Sequence, residues 1–311
     1  MTNIIVTGGN GFIGSHLVGA LAGSGKNRVT VFDLYPLAYG ALPANVTFVQ
    51  GNLADANLLR RTLEDQAIET VYHTAWSTVH ETALKDPVAD IEINLMSSVR
   101  LLEKCRDTGV KRVVFTSSGG TVYGLPESLP VQEDHPTNPI NAYGVTKLAV
   151  EKYLKMYLHL YGLEYVILRP SVPYGPRQNP HRRQGVLAAF VYHGLRGEPV
   201  TIWGDGEVSR DYFYVEDMTS AMLAALDVAS TPDPIFNLAG MQAYTLNQVV
   251  QVIEETLEIK MQVRYEPARK FDVPQLRLDI RAANERLGWH PSTSLPEGIR
   301  RTAAWLQKWV D

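Results

Sequence analysis

The residues best suited to acid–base chemistry are a tyrosine and a lysine one helical turn apart. Of the 15 tyrosines, only Tyr143 has a lysine four residues later, Lys147, and such residues share a helix face. A cation about 5 Å from a phenol favours the phenolate by about 3 kcal/mol at an effective dielectric constant of about 20, which lowers the phenol's pKa by about two units. With a second cation nearby, the phenolate can take an alcohol proton near neutral pH while the carbon gives up a hydride. A surface tyrosine and lysine on one helix face are the alternative.

A hydride acceptor is predicted by the glycine spacing near the N-terminus. Gly8, Gly11 and Gly14 follow an apolar segment and give the pattern G-x-x-G-x-x-G, which is typical of turns that bind the pyrophosphate of a dinucleotide. Asp33 ends the next predicted strand, 19 residues after Gly14. A carboxylate there accepts hydrogen bonds from the adenosine ribose and repels a 2′-phosphate, which favours NAD over NADP. An ordinary glycine-rich loop, with Asp33 as a cap or turn residue, is the alternative.

Alternating apolar segments and amphipathic helices place these residues in an α/β fold. Their short links are typical of a Rossmann-type doubly wound parallel sheet. The carboxyl ends of its strands form the ligand-binding edge, where Ser117, Ser118 and the start of the Tyr143 helix should lie. The predicted strands span residues 3–7, 28–33, 46–50, 69–75, 111–118, 163–169, 200–203 and 235–238. The predicted helices span 12–21, 56–66, 87–107, 141–161 and 185–196, and another begins near 215.

A proline-rich segment marks the predicted end of the dinucleotide-binding domain. Its sequence, R-P-S-V-P-Y-G-P at 169–176, cannot continue a regular helix or strand. We therefore predict a Rossmann domain over residues 1–170, with a returning segment near 212–240. Residues 171–311 should mainly form a smaller C-terminal α/β lobe that binds the substrate.

The composition argues against several other classes of protein. The formal net charge of −4, from 29 basic and 33 acidic residues, comes without a long run of either sign, so no nucleic-acid or anionic membrane surface is expected. The chain begins directly with a predicted strand, and no apolar run approaches the ~18 residues of a membrane span. The single cysteine, Cys105, excludes an internal disulfide and a cysteine metal cluster, so we expect a cytoplasmic protein without a metal.

Six motifs together resemble the extended short-chain dehydrogenase/reductase family, which includes NAD-dependent epimerases and dehydratases. They are T-G-G-N-G-F-I-G at 7–14, G-N-L-A-D at 51–55, H-T-A at 73–75, S-S-G-G-T-V-Y-G at 117–124, Y-G-V-T-K at 143–147 and R-D-Y at 210–212. Over essentially its whole length, the chain is most similar to nucleotide-sugar 4-epimerases of the UDP-glucose/UDP-galactose type. The resemblance implies a tightly held NAD that accepts a hydride from C4 of the sugar and returns it to the other face of a 4-keto intermediate.

The resemblance also implies a cofactor site and assigns the acid/base role to Tyr143. By motif position, Phe12 and Ile13 would approach the pyrophosphate, and Asn52 and Leu53 would flank the adenine. The predicted cofactor-binding residues are Gly8, Gly11, Phe12, Ile13, Gly14, Asp33, Asn52, Leu53, Thr74, Ala75, Asn94, Ser117, Tyr143, Lys147 and Pro170.

A nucleotide-sugar site is implied in the same way. The matching positions are Val172, Val186, Trp203, Arg210, Arg269, Asp272 and Leu276. Arg210, Arg269 and Asp272 would contact the diphosphate and ribose, since a guanidinium fork matches phosphate oxygens, while Trp203 and Val186 would lie near the uracil. Surface salt bridges are the alternative role for the arginines. Leu276 matches a position that limits the sugar's 2-substituent, so plain hexoses should be preferred over N-acetylhexosamines.

Three positions depart from the family pattern. Val172 replaces a substrate-contacting asparagine, Asn52 replaces an aspartate, and Gly119 replaces the hydroxyl residue that bridges the sugar 4-oxygen and the tyrosine. Strand alternation puts Gly119 and Thr121 on one face. Thr121 is therefore the predicted bridge, with Ser118 or a bound water as alternatives, and Gly119→Ser should restore part of the activity lost in Thr121→Val.

Other activities of the family fit less well. Dehydratases carry Asp-Glu where this chain has Gly120-Thr121, and decarboxylases carry a glutamate at the Thr121 position, so the acid that they need is missing. Epimerisation of UDP-glucuronate or of a UDP-N-acetylhexosamine stays open, as does a 4-keto-sugar reductase that consumes external NADH or NADPH. A nucleotide-sensing regulator without catalysis is the alternative from another class.

The resemblance finally implies a homodimer. The family pairs its subunits through two long helices, which correspond to 87–107 and 141–161 here. Their apolar positions fit an interface between subunits or the core of one subunit equally well. These positions are Leu95, Val99, Leu102, Leu148, Leu154 and Leu158.

Overall fold

A seven-stranded parallel sheet forms the centre of the computed structural model, which describes residues 1–38, 40–77, 80–181, 185–228, 233–269 and 273–309. The strands are β1 (Thr2–Thr7), β2 (Asn27–Asp33), β3 (Val46–Gln50), β4 (Thr70–His73), β5 (Arg112–Thr116), β6 (Glu164–Pro170), β7 (Val172–Tyr174), β8 (Val200–Trp203), β9 (Ser209–Arg210), β10 (Tyr212–Tyr214), β11 (Ile235–Leu238), β12 (Tyr244–Thr245) and β13 (Val263–Glu266). The main sheet has the order β11-β6-β5-β4-β1-β2-β3, and its neighbouring strands are parallel. The predicted Rossmann-type fold is therefore confirmed.

Helices cover both faces of this sheet. They are α1 (Phe12–Gly23), α2 (Ala56–Asp65), α3 (His80–Lys85), α4 (Pro87–Asp90), a π-helical segment (Ile91–Met96), α5 (Ser97–Thr108), α6 (Ala142–Tyr161), α7 (Val186–Leu195), α8 (Val215–Ala224), α9 (Leu246–Leu257), α10 (Arg281–Leu287), α11 (Leu295–Leu306) and a 3₁₀ turn (Gln307–Trp309). In β1, Ile4 and Val6 pack in one core cluster and Ile5 packs in the other, as the two-residue period of a strand requires. Burial on both faces explains the continuous apolar sequence of β1.

The order of the strands reverses at β1. From β1 the chain builds β2 and β3 on one side and then crosses to β4, β5 and β6 on the other. A crevice opens at such a reversal, outside the carboxyl ends of the strands. Here it lies between Thr7 of β1 and His73 of β4, which are paired in register.

The predicted single helix over 87–107 contains a π-helical segment, Ile91–Met96, between α4 and α5. Inside it, Asn94 is buried and donates to the buried Asp90 carboxylate at 2.8 Å. Wider helical turns of this kind occur frequently at functional sites. The spacing of apolar residues that predicted the helix does not show where a π-helical turn takes in an extra residue.

The chain turns sooner after β5 than predicted. The Gly119 amide still bonds to Pro170 O at 2.9 Å, but the amides of Thr121 and Val122 both bond to Ser118 O. Thr121 therefore belongs to a turn, and the argument from strand alternation is wrong. A Cβ on Gly119 would lie 2.7 Å from the carbonyl oxygen of Arg169 and 2.5 Å from Leu278 Cδ1. A serine there would force the Arg169 backbone to shift, which argues against the expected rescue by Gly119→Ser, and Leu278 Cδ1 lies close to the space proposed for a water.

The second lobe is built from three short two-stranded sheets around their own apolar cluster. The pairs are β7 with β10, β8 with β13, and β9 with β12, and helices α7, α9 and α11 pack around them. As predicted, β11 returns to the main sheet beside β6. The chain returns once more at Ala283 and Trp289, which pack beneath that sheet. In the described part of the chain, every helix is too short or too polar to cross a membrane.

Candidate active site

The glycine turn lies at the carboxyl end of β1, as predicted. Gly8 has a φ of +70°, which residues with a side chain rarely adopt, and its amide donates to Phe32 O at 2.9 Å. A Cβ on Gly8 would lie 2.6 Å from the Cα of Ala75, and one on Gly14 would collide with the carbonyl oxygen of Gly8. The backbone segments therefore approach one another more closely than any side chain allows.

Helix α1 presents its N-terminus directly after this turn. Its N-cap is Gly11, which has no side chain to accept the first amides, and the first turn of this fully described helix carries no acidic residue. The amides of Phe12 and Ile13 belong to that turn. Since a helix N-terminus carries partial positive charge and free N–H donors, these residues fit the pyrophosphate of NAD.

The Asp33 carboxylate lies at the end of β2, beside the glycine turn. Its Oδ2 accepts a hydrogen bond from the amide of Asn10 at 3.0 Å, so Asp33 also has the turn-stabilising role that the sequence left open. The amide of Gly51 donates to Asp33 O at 2.9 Å. This bond brings Asn52 and Leu53 to the same edge, where the adenosine half of NAD is predicted.

The opposite wall of the crevice follows β4. The Thr74 hydroxyl donates to Thr7 O at 2.7 Å, and Ala75 lies against Gly8. Further along, the amide of Ser77 donates to Asn94 Oδ1 at 3.1 Å. The structure thus brings three predicted cofactor residues from different segments to one wall.

Tyr143 and Lys147 lie at the carboxyl end of β5, inside the first turns of α6. Asn141 caps this helix by accepting a hydrogen bond from the amide of Gly144 at 2.8 Å. Tyr143 is only 8% exposed and Lys147 only 3%. The Lys147 ammonium donates to Thr116 O at 2.7 Å and lies 5.7 Å from the centre of the Tyr143 ring. The pair is therefore buried beside the crevice, which excludes the alternative of a tyrosine and a lysine on the protein surface.

The electrostatics of the pair differ from the prediction. Burial raises the pKa of Tyr143, and the Asp90 carboxylate raises it further. Burial also lowers the pKa of Lys147 well below its ordinary value, against the opposing effects of Asp90 and Glu151. The predicted lowering of the phenol's pKa is wrong for the chain alone, because burial and the Asp90 carboxylate both raise this pKa. A second cation would favour the phenolate, and the positively charged nicotinamide of bound NAD would supply one.

A buried polar network lies behind the pair. Glu151 accepts hydrogen bonds from the Ser117 hydroxyl at 2.5 Å and from Arg169 Nη2 at 2.6 Å. Arg169 also donates to the hydroxyl of Tyr123 at 2.8 Å, which donates to Asn237 at 2.7 Å. The hydroxyl of Ser117, a predicted cofactor contact, is thus directed into the protein. The network ties β5, β6, β11 and α6 together at their site ends.

Two hydroxyls compete for the predicted bridging role. Thr121 Oγ1 is buried and has no hydrogen-bond partner among the described residues. A Cβ on Gly144 would lie 3.1 Å from Thr121 Cβ, so Thr121 packs against the first turn of α6, next to Tyr143. Ser118 lies at the start of the same turn and is also buried. The assignment of the bridge to Thr121 stays a prediction, now based on this packing.

One pair of predicted nucleotide-sugar residues is brought together. The guanidinium of Arg269 lies 4.5 Å from the centre of the Trp203 ring, at the end of β8. Trp203 is 42% exposed, so an aromatic face and a cation are presented side by side. Asp272, the third predicted contact in this region, lies outside the described residues.

The other predicted substrate residues lie on separate segments of the second lobe. Val172 is the first residue of β7 and Val186 the first of α7. Arg210 lies in β9, and the amide of Leu276 bonds to the adjacent Ser209 O at 3.3 Å. Leu276 is 1% exposed and packs inside an apolar cluster. Its role in limiting the size of the sugar's 2-substituent therefore stays a prediction. The cluster also contains Val122, Tyr123, Val131, Ala239 and Leu278.

Three residues of the site were missed in the sequence. They are Trp76, Asp90 and Glu151. A signal for Glu151 was present, because it follows Lys147 by four residues and therefore continues the buried face of α6. Trp76 and Asp90 come from other elements, and only the tertiary fold brings them to the pair.

The comparisons with known proteins agree with this geometry. Residues 4–239 match the NAD dependent epimerase/dehydratase family. The chain belongs to this family. As a member, it is an enzyme that depends on NAD. A relative, the UDP-glucose 4-epimerase of Mycolicibacterium smegmatis, is 36% identical over 97% of this chain and 98% of its own length.

Solved structures of UDP-glucose 4-epimerases have the same fold. The Thermotoga maritima enzyme with UDP-glucose is 37% identical, with a TM-score of 0.93 and full coverage of both chains. The Thermus thermophilus enzyme with NAD is 36% identical, with a TM-score of 0.91 over 98% of this chain and 99% of that one.

Other relatives carry different substrate names. UDP-glucuronate 4-epimerase 1 of Arabidopsis thaliana is 30% identical over 97% of this chain and 76% of its own length. The UDP-N-acetylglucosamine 4-epimerase of Methanobrevibacter ruminantium, solved with UDP-N-acetylmuramic acid, is 31% identical, with a TM-score of 0.89 over 99% of both chains. Overall likeness therefore leaves the sugar undetermined.

Proposed function

We propose that this enzyme interconverts the C4 epimers of a UDP-hexose of the UDP-glucose/UDP-galactose type. The observation that carries the proposal is the buried Tyr143–Lys147 pair, which lies at the same carboxyl edge of the sheet as the glycine turn. NAD supplies the hydride acceptor and, on the return step, the hydride donor. Because the hydride returns to the sugar, net turnover consumes no cofactor.

The acid and base of the reaction are assigned to one residue. Tyr143 would take the proton of the sugar 4-hydroxyl as C4 is oxidised to the 4-ketone. It would return the proton after the keto sugar has rotated to present its other face. Lys147, held by Thr116 O, would keep a positive charge near the phenol. Thr121 would pass the proton between the sugar oxygen and Tyr143, with Ser118 as the alternative.

The substrate's nucleotide would lie in the second lobe. The exposed Trp203 face, with Arg269 stacked on it, suits a uracil and its diphosphate, because arginine combines stacking with phosphate recognition. Arg210 would add a second cation for the diphosphate. Val172 supplies no hydrogen bond where the family has an asparagine, so the sugar must be held by other groups. This division of roles supports the predicted boundary near residue 170.

Cofactor content is the first test. Protein purified without added nucleotide is denatured, and the supernatant is analysed for NAD and NADP. We expect NAD in near-stoichiometric amount. Stoichiometric NADP, or a need for added NADPH with net reduction of a 4-keto sugar, would replace the epimerase with a reductase.

Substrate identity is the second test. The purified protein is incubated with UDP-glucose, UDP-galactose, UDP-glucuronate and UDP-N-acetylglucosamine, and the products are separated by chromatography. UDP-glucose and UDP-galactose should interconvert without added cofactor, with higher specificity constants than the N-acetylated sugar. A higher specificity constant for UDP-glucuronate or UDP-N-acetylglucosamine would move the assignment to that sugar, and bound NAD without any turnover would favour a sensing role.

We further propose that the enzyme is a cytoplasmic homodimer, which pairs through α6 and through the helical stretch from α4 to α5, the predicted helix over 87–107. The outward faces of these helices carry exposed apolar side chains, among them Val88, Ile91 and Val145, whereas Leu102 and Leu154 are buried in the core of one chain. Apolar helix faces of this kind pack together in bundles. Sedimentation velocity should give a dimer mass that Val145→Glu lowers toward the monomer, and a wild-type monomer at micromolar concentration would refute the pairing.

A further inference from the structure

Trp76 covers the lysine of the catalytic pair. The Lys147 Nζ atom lies 3.6 Å from the centre of the Trp76 ring, which is within the range of a cation–π contact. The same indole packs against Tyr143 in a T-shaped pair, with ring centres 5.9 Å apart and planes at 70°. We propose that Trp76 is a positioning residue, whose ring face holds the Lys147 ammonium charged and in place beside Tyr143.

The carboxylates around Lys147 are already engaged with other donors. Asp90 accepts hydrogen bonds from Thr146 at 2.5 Å and from Asn94 at 2.8 Å. Glu151 accepts from Ser117 and Arg169. Both carboxylates therefore act on the ammonium through space, whereas the indole touches it.

The remaining ionisable groups near Lys147 do not supply that contact. Burial, together with the charge of Lys147, lowers the pKa of His73 to about 3, so His73 is neutral at working pH. Tyr143 is the group that must itself lose a proton. An ammonium has three N–H donors, and the described bond to Thr116 O uses one of them. The Phe115 ring also lies within cation–π range of the Lys147 ammonium, at 4.9 Å, but the indole face is nearer, at 3.6 Å, and more electron-rich.

The N–H group of the indole indicates why position 76 is a tryptophan. Trp76 Nε1 is buried and has no hydrogen-bond partner among the described residues. A buried indole N–H normally finds an acceptor. An aliphatic side chain would fill the space without such an unpaired donor, but it would offer no face to the cation. The ring, rather than the N–H, explains the residue.

The pH dependence of turnover separates this role from simple packing. The test rests on the proposed function, and it uses the enzyme with its bound cofactor and UDP-galactose as the probe. Losing the indole should lower the pKa of Lys147 and, with less positive charge nearby, raise that of Tyr143. In the plot of kcat against pH, the acid limb should report Tyr143 and the alkaline limb Lys147. Trp76→Leu should therefore narrow this bell-shaped plot from both sides, and should move the alkaline limb by about one pH unit. Trp76→Phe keeps a π face and should retain most of the width.

A matched control is Trp305→Leu, the same substitution at a half-buried tryptophan of α11 that packs against the cluster of the second lobe. Trp305→Leu should leave both limbs of the pH profile of kcat at their wild-type positions. Equal loss of kcat at every pH in Trp76→Leu, or identical narrowing in Trp76→Phe, would overturn the proposal.

Tryptophan fluorescence tests the contact without turnover. Lys147→Met should change the emission of the otherwise wild-type protein and leave that of Trp76→Phe unchanged, since only the former has an indole over the ammonium. An equal change in both backgrounds would show that Trp76 does not sense Lys147. If the wild-type protein fails to epimerise UDP-galactose, the proposed function fails for this sugar, while the emission comparison still decides the contact.

Discussion

Acidification should destabilise the fold through a buried histidine of helix α1. His16 lies on α1, and its Nε2 bonds to Pro176 O at 2.9 Å. Burial, opposed by the bond to Pro176 and helped by the charge of Arg177, lowers its pKa from 6.5 to about 4. Between these values the unfolded chain binds the proton and the folded chain does not, so stability falls as the pH falls.

The size of this loss follows from the two pKa values. At pH 5 the unfolded imidazole is almost fully protonated and the folded one is almost fully neutral, which costs about 2 kcal/mol relative to neutral pH. His73, whose pKa burial lowers to about 3, should add a similar loss of about 2 kcal/mol at the same pH. Two histidines therefore make the protein acid-sensitive well above the pKa range of its carboxylates.

Urea unfolding at pH 7 and pH 5, followed by far-UV circular dichroism, measures this effect. His16→Gln keeps a side-chain N–H donor but cannot titrate, so it should lose about 2 kcal/mol less than wild type over this interval. His290→Gln, at an exposed position, is the matched control and should follow wild type. Equal losses in His16→Gln and wild type would show that the fold does not keep His16 neutral.

The other predictions concern turnover. Tyr143→Phe should lower kcat by about 10² or more and retain bound NAD, since it removes the proton acceptor and little volume; normal turnover would move the acid/base role elsewhere. Arg269→Ala should mainly raise KM for the UDP-sugar, and binding of UDP alone, measured by calorimetry, should weaken in parallel. Thr121→Val should lower kcat by about 10² while Ser118→Ala has a much smaller effect. The reverse order would assign the bridging hydroxyl to Ser118.

Local patterns predicted the parts of the site that lie within one segment. The spacing of Gly8, Gly11 and Gly14, the carboxylate at Asp33 and the i, i+4 pair in α6 each depend on a few neighbouring residues. The structure places all of them at the carboxyl edge of the sheet, because strand–helix alternation fixes which end of each element faces the crevice.

The failures have a different physical origin. The alternation ended after β5 because the amides of Thr121 and Val122 bond back to Ser118 O in a turn, which a two-residue period does not encode. The sign of the pKa shift at Tyr143 was wrong because desolvation depends on the whole surrounding structure, not on the nearest charge. Trp76 was missed because its partner, Lys147, is distant in sequence.

The repeated returns of the chain to the main sheet limit how the two lobes can move. Connections between sheet and second lobe occur after Pro170, at Val215, after Leu238, before Arg281 and after Trp289. A hinge absorbs its rotation in a few backbone torsions, whereas here several connections would have to bend in concert. We expect the two lobes to move as one rigid body and to release a dinucleotide only through local motion of loops. A catalyst that regenerates its own oxidant in each cycle loses nothing by such stiffness.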